Sequence, residues 1–335
     1  MCPCSCSRTT WLAPAGSTST SPEILPRPSP SNNAVVVLGA GRGLAAVLRA
    51  LRGQSTRLTV IVSIAYQPGD GDEVQRRVTG ASVEDLRRSL EALSGEEGPL
   101  LRAIRRPLTI ERLGRHPLGN LVIASAASAF DDYGLASAWL GEQLGIEGAV
   151  LPATTELVRW EIEPFEGTDA PSFPADTVVR PSRLRFIEAR IESPAAAVDA
   201  IKRSEHALLA PGSLYPSVLA TAAVPDLAAA LATTAARVLW IASLERDPDQ
   251  PATMTAIDHL QALRLNGVRV DAALFDPSAA LKFDASELAR YGVVAIPRAL
   301  RSNRNPRVHD PKRLRSALRE LIALPSAGRS GHRSD

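Results

Sequence analysis

Ala34-Val35-Val36-Val37-Leu38-Gly39-Ala40-Gly41-Arg42-Gly43-Leu44 is the stretch that decides the fold. Five consecutive apolar residues read as a strand buried on both faces, as in a parallel sheet. The glycines read as a tight turn, after which Leu44, Val47, Leu48 and Leu51 recur at helical spacing. Residues 58–65, Leu-Thr-Val-Ile-Val-Ser-Ile-Ala, supply a second apolar strand. Strand, glycine turn, helix and strand in this order open a doubly wound α/β sheet.

Working outward, the spacing predicts helices over 83–93, 118–130 and 135–144. Residues 150–194 differ in texture: 157–162 partly alternates, 178–179 and 184–191 look extended, and Gly and Pro punctuate between them. This segment reads as a β-rich insertion, a hairpin beside the main sheet. The α/β rhythm resumes with a strand at 207–209, the turn Pro211-Gly-Ser-Leu-Tyr215 and a helix from Val218. A strand at 238–242, a helix at 255–265, a strand at 268–275 and a closing helix at 314–324 follow. The expectation is one Rossmann-like, doubly wound, mostly parallel α/β domain over 34–324. Residues 1–33, rich in Ser, Thr, Pro and Cys, read as a disordered tail, and 325–335 as a flexible one.

Composition narrows the function classes. The 335 residues are 45% hydrophobic and 22% charged, enough apolar material for a real core. Thirty-eight basic against 36 acidic residues leave a formal charge of +2, without the concentrated basic field of a nucleic-acid or membrane-surface binder. The three cysteines, Cys2, Cys4 and Cys6, all stand at the start, so no disulfide supports the fold, and their run lacks a fourth metal ligand. No basic segment followed by an apolar one resembles a secretory signal. The most lipid-like stretch, 227–244, is broken by Thr233, Thr234 and Arg237, so no membrane span is expected and the chain reads as cytoplasmic.

Three segments carry candidate chemistry. A helix N-terminus presents unpaired N–H groups and partial positive charge, and Gly39, Gly41 and Gly43 let an anion approach that backbone, which suggests a phosphate or diphosphate site. The spacing is Gly-x-Gly-x-Gly-Leu, with Leu44 where the dinucleotide fingerprint has its last glycine. No acidic residue closes the second strand to hold a ribose, so NAD is disfavoured. A guanidinium at Arg42 suits bidentate pairing with a diphosphate. The second turn, Pro211-Gly212-Ser213-Leu214-Tyr215, also ends a strand and opens a helix, with Ser213 as an N-cap or a phosphate donor. The third, His116-Pro-Leu-Gly-Asn120, ends on a side chain able both to donate and to accept at a nucleobase edge or sugar hydroxyl.

Taken with Leu151-Pro-Ala-Thr154 and Asp258-His259-Leu260, these segments resemble the YvcK/CofD family over residues 34–324, and within it the YvcK branch, the gluconeogenesis factors. The resemblance implies a CofD-like, Rossmann-like fold. It implies a nucleotide sugar, a UDP-sugar, bound at Gly39, Gly41, Arg42, Gly43, Leu44, Asn120, Gly212, Ser213, Leu214 and Tyr215. It further implies a homodimer, with cell-wall synthesis or morphogenesis partners, that supports cell shape during gluconeogenic growth. The CofD branch instead transfers a phospholactyl group to a deazaflavin using magnesium.

The departures bear on which branch applies. Where the family has Asp-Asp-Gly-Gly-Ser, this chain reads Tyr66-Gln67-Pro68-Gly69-Asp70, so the carboxylate pair a Mg²⁺ ion would want is absent. Asp70, Asp72 or Asp85 would have to replace it. The Pro-Pro-Gly-Asp-x-Arg segment keeps only Asp85 and Arg87, and a later polar stretch has become Glu245-Arg-Asp-Pro-Asp-Gln-Pro251. His309-Asp310 also matches the family, and Asp310 reads equally well as a helix cap. The leading expectation is therefore a nucleotide-sugar-binding regulator rather than an enzyme. A phospholactate transferase and a non-binding scaffold are the alternatives.

Overall fold

The computed structural model describes residues 34–54, 57–67, 83–95, 97–110, 114–164, 182–247, 250 and 254–323. The expectations for both tails, for Cys2, Cys4 and Cys6, for Asp70 and Asp72, and for residues 178–179 lie outside these.

Eleven strands occur among the described residues: β1 (Ala34–Gly39), β2 (Arg57–Val62), β3 (Pro107–Ile110), β4 (Gly114–Pro117), β5 (Ala149–Pro152), β6 (Trp160–Pro164), β7 (Ser182–Phe186), β8 (His206–Leu209), β9 (Arg237–Ile241), β10 (Ala272–Phe275) and β11 (Val294–Pro297). Seven form one parallel sheet in the order β11-β10-β9-β8-β1-β2-β5. β1 is central, with β2 on one side and β8 on the other. The chain winds outward in both directions from that junction, the doubly wound arrangement expected from the first glycine turn.

The apolar run of β1 is explained by its two faces. Val35 and Val37 enter one core with Leu44 and Leu48 of the helix Gly41–Leu51, Leu86 and Leu90 of Glu84–Leu93, and Leu318 of Pro311–Ala323. Val36 and Leu38 enter the other with Ile201, Leu227, Leu231 and Leu260 from helices on the opposite side. All four β1 side chains are buried, each burial worth about 1.5–3 kcal/mol. No single helix among the described residues is long and apolar enough to cross a membrane.

Two small antiparallel pairs stand outside the main sheet. β6 pairs with β7, from Trp160 opposite Phe186 to Pro164 opposite Ser182, a hairpin of the kind the texture of 150–194 suggests. β3 pairs with β4, which places His116 and Pro117 at the end of a strand that leads directly into the helix Leu118–Phe130. Residues 149–152 form the edge strand of the main sheet instead of opening the insertion. Their approach to β2 needs Gly148, where a Cβ would lie 2.5 Å from the Leu58 carbonyl oxygen. The helix expected from Val218 begins earlier, as a π-helical turn over Leu214–Leu219.

Candidate functional site

β1 and β8 are neighbours, so the turns after them sit side by side at the point where the winding direction reverses. Ligands in open α/β sheets bind in the crevice at such a point. The turns lie in direct contact. A Cβ built on Gly43 would fall 1.8 Å from the Pro211 carbonyl oxygen, so only glycine lets the first helix start this close to the second turn. Gly41 has φ +76, a left-handed conformation that turns the chain from strand into helix.

Two serines stitch three strand ends together. Ser217 Oγ accepts from the Ala40 N–H at 3.0 Å and donates to the Ala40 carbonyl at 3.1 Å, joining the turns after β1 and β8. Ser243 Oγ accepts from the Gly212 N–H at 3.0 Å and donates to the Gly212 carbonyl at 2.9 Å, joining the turns after β8 and β9. A third backbone amide, that of Gly41, donates to Asp85 Oδ1 at 2.9 Å. Burial pushes the Asp85 carboxyl pKa up, against the Gly41 hydrogen bond and Arg88 at 3.7 Å, which pull it down.

These turns form one wall of a cleft of about 430 Å³. Gly41, Arg42, Gly43, Gly212, Ser213 and Leu214 line it. Arg42 is exposed and has no carboxylate partner among the described residues. The Gly212 amide, by contrast, is already committed to Ser243, and the Ser213 side chain makes no capping bond. The amides of Arg42 and Gly43 lie in the first turn of an eleven-residue helix, where no intrahelical carbonyl takes them.

Gly39, Leu44, Tyr215 and Asn120 do not line the cleft. Gly39 ends β1 directly beneath the turn. Leu44 is buried in the core, where the helix turns its apolar face inward. The Tyr215 hydroxyl turns away to the Ser182 backbone, accepting from its N–H at 3.2 Å and tying the π-helical turn to the β6–β7 hairpin. Asn120 is only 1% exposed, and its Oδ1 accepts from Arg87 Nε at 2.7 Å. Arg87 also pairs with Glu91, which meets Arg105 Nε at 3.2 Å. The sequence expectation placed Asn120 at a base edge; the structure instead commits it to a buried polar network under the helix Leu118–Phe130.

The cleft also contains groups outside the ten expected site residues. Trp240, at the end of β9, stacks on His259 with ring centroids 6.0 Å apart. Glu245, Arg246, Asp247 and Gln250 come from the stretch that departs from the family pattern, and His309 and Arg307 from the loop before the last helix. The acidic members of the two Asp/His pairs cap helices, while His259 and His309 line the cleft. Asp258 closes a capping box with Thr255, and Asp310 caps the last helix by accepting from Lys312 N at 2.9 Å. Among the described residues no group of three or more His, Cys, Asp or Glu side chains is placed to hold a metal ion. A second hollow of about 420 Å³ near Asp276 has its arginines engaged: Arg301 reaches the Leu244 carbonyl at 2.9 Å and Arg298 meets Glu320 at 3.2 Å.

The likeness to known proteins covers both this site and the fold around it. Residues 35–324 match the family model described as 2-phospho-L-lactate transferase CofD. A curated relative from Deinococcus radiodurans is 30% identical over 239 residues, covering 68% of this chain but 50% of that protein. The gluconeogenesis factor of Halalkalibacterium halodurans is 30% identical over 235 residues, 68% of this chain and 72% of that protein. The chain thus spans only about half the length of some relatives it matches. An X-ray structure of a Bacillus halodurans protein superposes with a TM-score of 0.75 at 25% identity, covering 88% of this chain and 100% of that one. With the family model matching from the first strand to the last helix, the chain belongs to the CofD family, among relatives named gluconeogenesis factors.

Proposed function

We propose that the chain binds a UDP-sugar in the cleft at the β1–β8 junction, as a regulator of the gluconeogenesis-factor type. The observation that carries this reading is the contact between the two glycine turns, Gly43 against Pro211. In this reading the diphosphate lies over the Arg42 and Gly43 amides at the positive end of the helix Gly41–Leu51. The Arg42 and Arg307 guanidinium groups offset its charge, and the Ser213 hydroxyl donates from the second turn. Ala40, Gly41 and Gly212 do not bind ligand through their amides; those amides hold the turns in place. In this proposal the protein acts in the cytoplasm as a homodimer with cell-wall synthesis or morphogenesis partners; the relatives' names support the gluconeogenesis-factor part of the reading alone.

Titration with UDP-N-acetylglucosamine tests the reading. Saturable stabilisation of about 2.7 kcal/mol is expected at a hundredfold excess over the dissociation constant. A melting temperature unmoved by any UDP-sugar would remove the proposal.

Phospholactyl transfer, the activity in the family's description, is the second reading. The observation that favours it is Asp85, a carboxyl group in the cleft beside the glycine turn. It predicts magnesium-dependent consumption of a nucleotide-linked phospholactate, and turnover that survives EDTA would count against it.

A further inference from the structure

Three sequence motifs meet through one buried side chain. Arg87 stands on the helix Glu84–Leu93 two residues after Asp85, the carboxylate that holds the Gly41 amide at 2.9 Å. Its side chain is buried and held along its whole length. Arg87 Nε donates to Asn120 Oδ1 at 2.7 Å, one terminal nitrogen pairs with Glu91, and the other lies 3.6 Å from Glu84. A guanidinium only donates, so the atom Asn120 turns toward it is the oxygen. Gly119 makes room for the stem: a Cβ there would lie 2.7 Å from Arg87 Cδ and 3.0 Å from the Ile104 carbonyl oxygen.

Leu86 and Leu90 hold the same helix against the core, but apolar burial has no direction. Hydrogen bonds tolerate only a few tenths of an ångström, so the contacts of Arg87 are what fix the helix in rotation and slide. A buried guanidinium is costly unless its donors are met, which ties that fixing to Asn120. We infer that Gly119 and Asn120 are positioning residues of the first glycine turn. They lock Arg87, Arg87 locks the helix Glu84–Leu93, and Asp85 in its first turn holds Gly41 in place. The inference rests on the reading of that turn as the anion site. It gives the His116–Asn120 motif a part in ligand binding without any contact to the ligand.

Amide hydrogen exchange on the full chain without ligand tests the positioning. The Ala40 amide is the internal control, because Ser217 holds it and Asp85 does not. Asn120→Leu should speed exchange at Gly41 about tenfold relative to Ala40, the scale of one charge-assisted hydrogen bond. Asn120→Asp, which still accepts from Arg87, should restore most of the protection. Gly119→Ala keeps every hydrogen-bonding group and should act as Asn120→Leu does, so the test survives if the leucine variant fails to fold. Gly41 and Ala40 changing together, or neither changing, would reduce the network to packing and overturn the inference. Calorimetry with UDP-N-acetylglucosamine then reads the consequence for binding. Asn120→Leu should weaken binding about fivefold in the wild-type background and leave it unchanged where Asp85→Ala has already cut the link. Equal losses in both backgrounds would overturn the inference. Wild-type protein that does not bind the UDP-sugar would remove the reading of the cleft, while the exchange at Gly41 would still decide what Gly119 and Asn120 do.

Discussion

Ser217 Oγ takes both backbone polar groups of Ala40, accepting its N–H at 3.0 Å and donating to its C=O at 3.1 Å, across 177 positions of sequence. One hydroxyl thereby serves both polar groups of a buried turn residue. Replacing Ser217 with Ala leaves an N–H and a C=O without these partners. Urea unfolding should show a loss of about 2–3 kcal/mol. A loss within experimental error would mean that the two turns are not joined this way in solution.

The two glycines of the first turn should fail for different reasons. At Gly43 an added Cβ meets the Pro211 carbonyl oxygen at 1.8 Å, and backbone must move; at Gly41 nothing lies within 4 Å and only the φ of +76 is strained. Gly41→Ala should therefore cost about 1 kcal/mol, and Gly43→Ala about 3 kcal/mol or more. The reverse ranking in paired melts would contradict the packing of the turns.

Arg42 is exposed and without a carboxylate partner among the described residues, so its removal should barely change stability. Arg42→Ala should weaken UDP-sugar binding by about 1.5–3 kcal/mol, the range for a charge-assisted hydrogen bond. The affinity should also become less sensitive to salt. Calorimetry at two ionic strengths would show an unchanged affinity if the diphosphate lies elsewhere.

Asp85 distinguishes regulator from enzyme. Its carboxylate holds the Gly41 amide close to the proposed diphosphate. Asp85→Asn keeps an acceptor for that amide and removes the negative charge, so a binding protein should hold UDP-sugars several-fold more tightly. An enzyme that uses Asp85 for a metal should instead lose its turnover. Binding and activity assays on the one variant separate the two.

Acid should destabilise the fold through its buried histidines before the carboxylates of lowered pKa contribute. Burial lowers the pKa of His206, His259 and His309, the last to about 4. The unfolded chain takes up these protons near pH 6.5, the folded chain only at lower pH. Stability is thus fully present above about pH 6.5 and falls as pH drops below it, His309 alone accounting for about 2 kcal/mol by about pH 5. Carboxylates with lowered pKa, such as Asp276, add their loss only below their own unfolded value of about 3.9. Denaturant midpoints measured against pH should slope downward in this window, and less steeply in His309→Phe. A flat profile would place the histidines in water.

Much of the architecture was legible because local chemistry determines it. The strand at Ala34–Gly39 and the helix at Leu118–Phe130 follow from an uninterrupted apolar run and a glycine-opened apolar helix. The glycine turns announced themselves as places where backbone is exposed at a helix start. Less local elements leave no such mark in the sequence. β5 is four residues long and needs β2 to define it, and β11 was not anticipated, its short apolar run giving no period to detect.

The chain's own order of residues determined which backbone segments would turn sharply, which would be buried on both faces and which would carry unpaired amides, because each depends on neighbours a few positions away. Tertiary structure alone decided that Ser217, Ser243 and Asp85 take three of the amides for structural use, and that Asn120 serves a buried network instead of the cleft. It also decided that His309 and Trp240 meet the glycine turns in one cleft. These contacts join residues tens to hundreds of positions apart. Nothing in the local pattern encodes such a partner, since the sheet order that brings the strand ends together is a property of the whole fold.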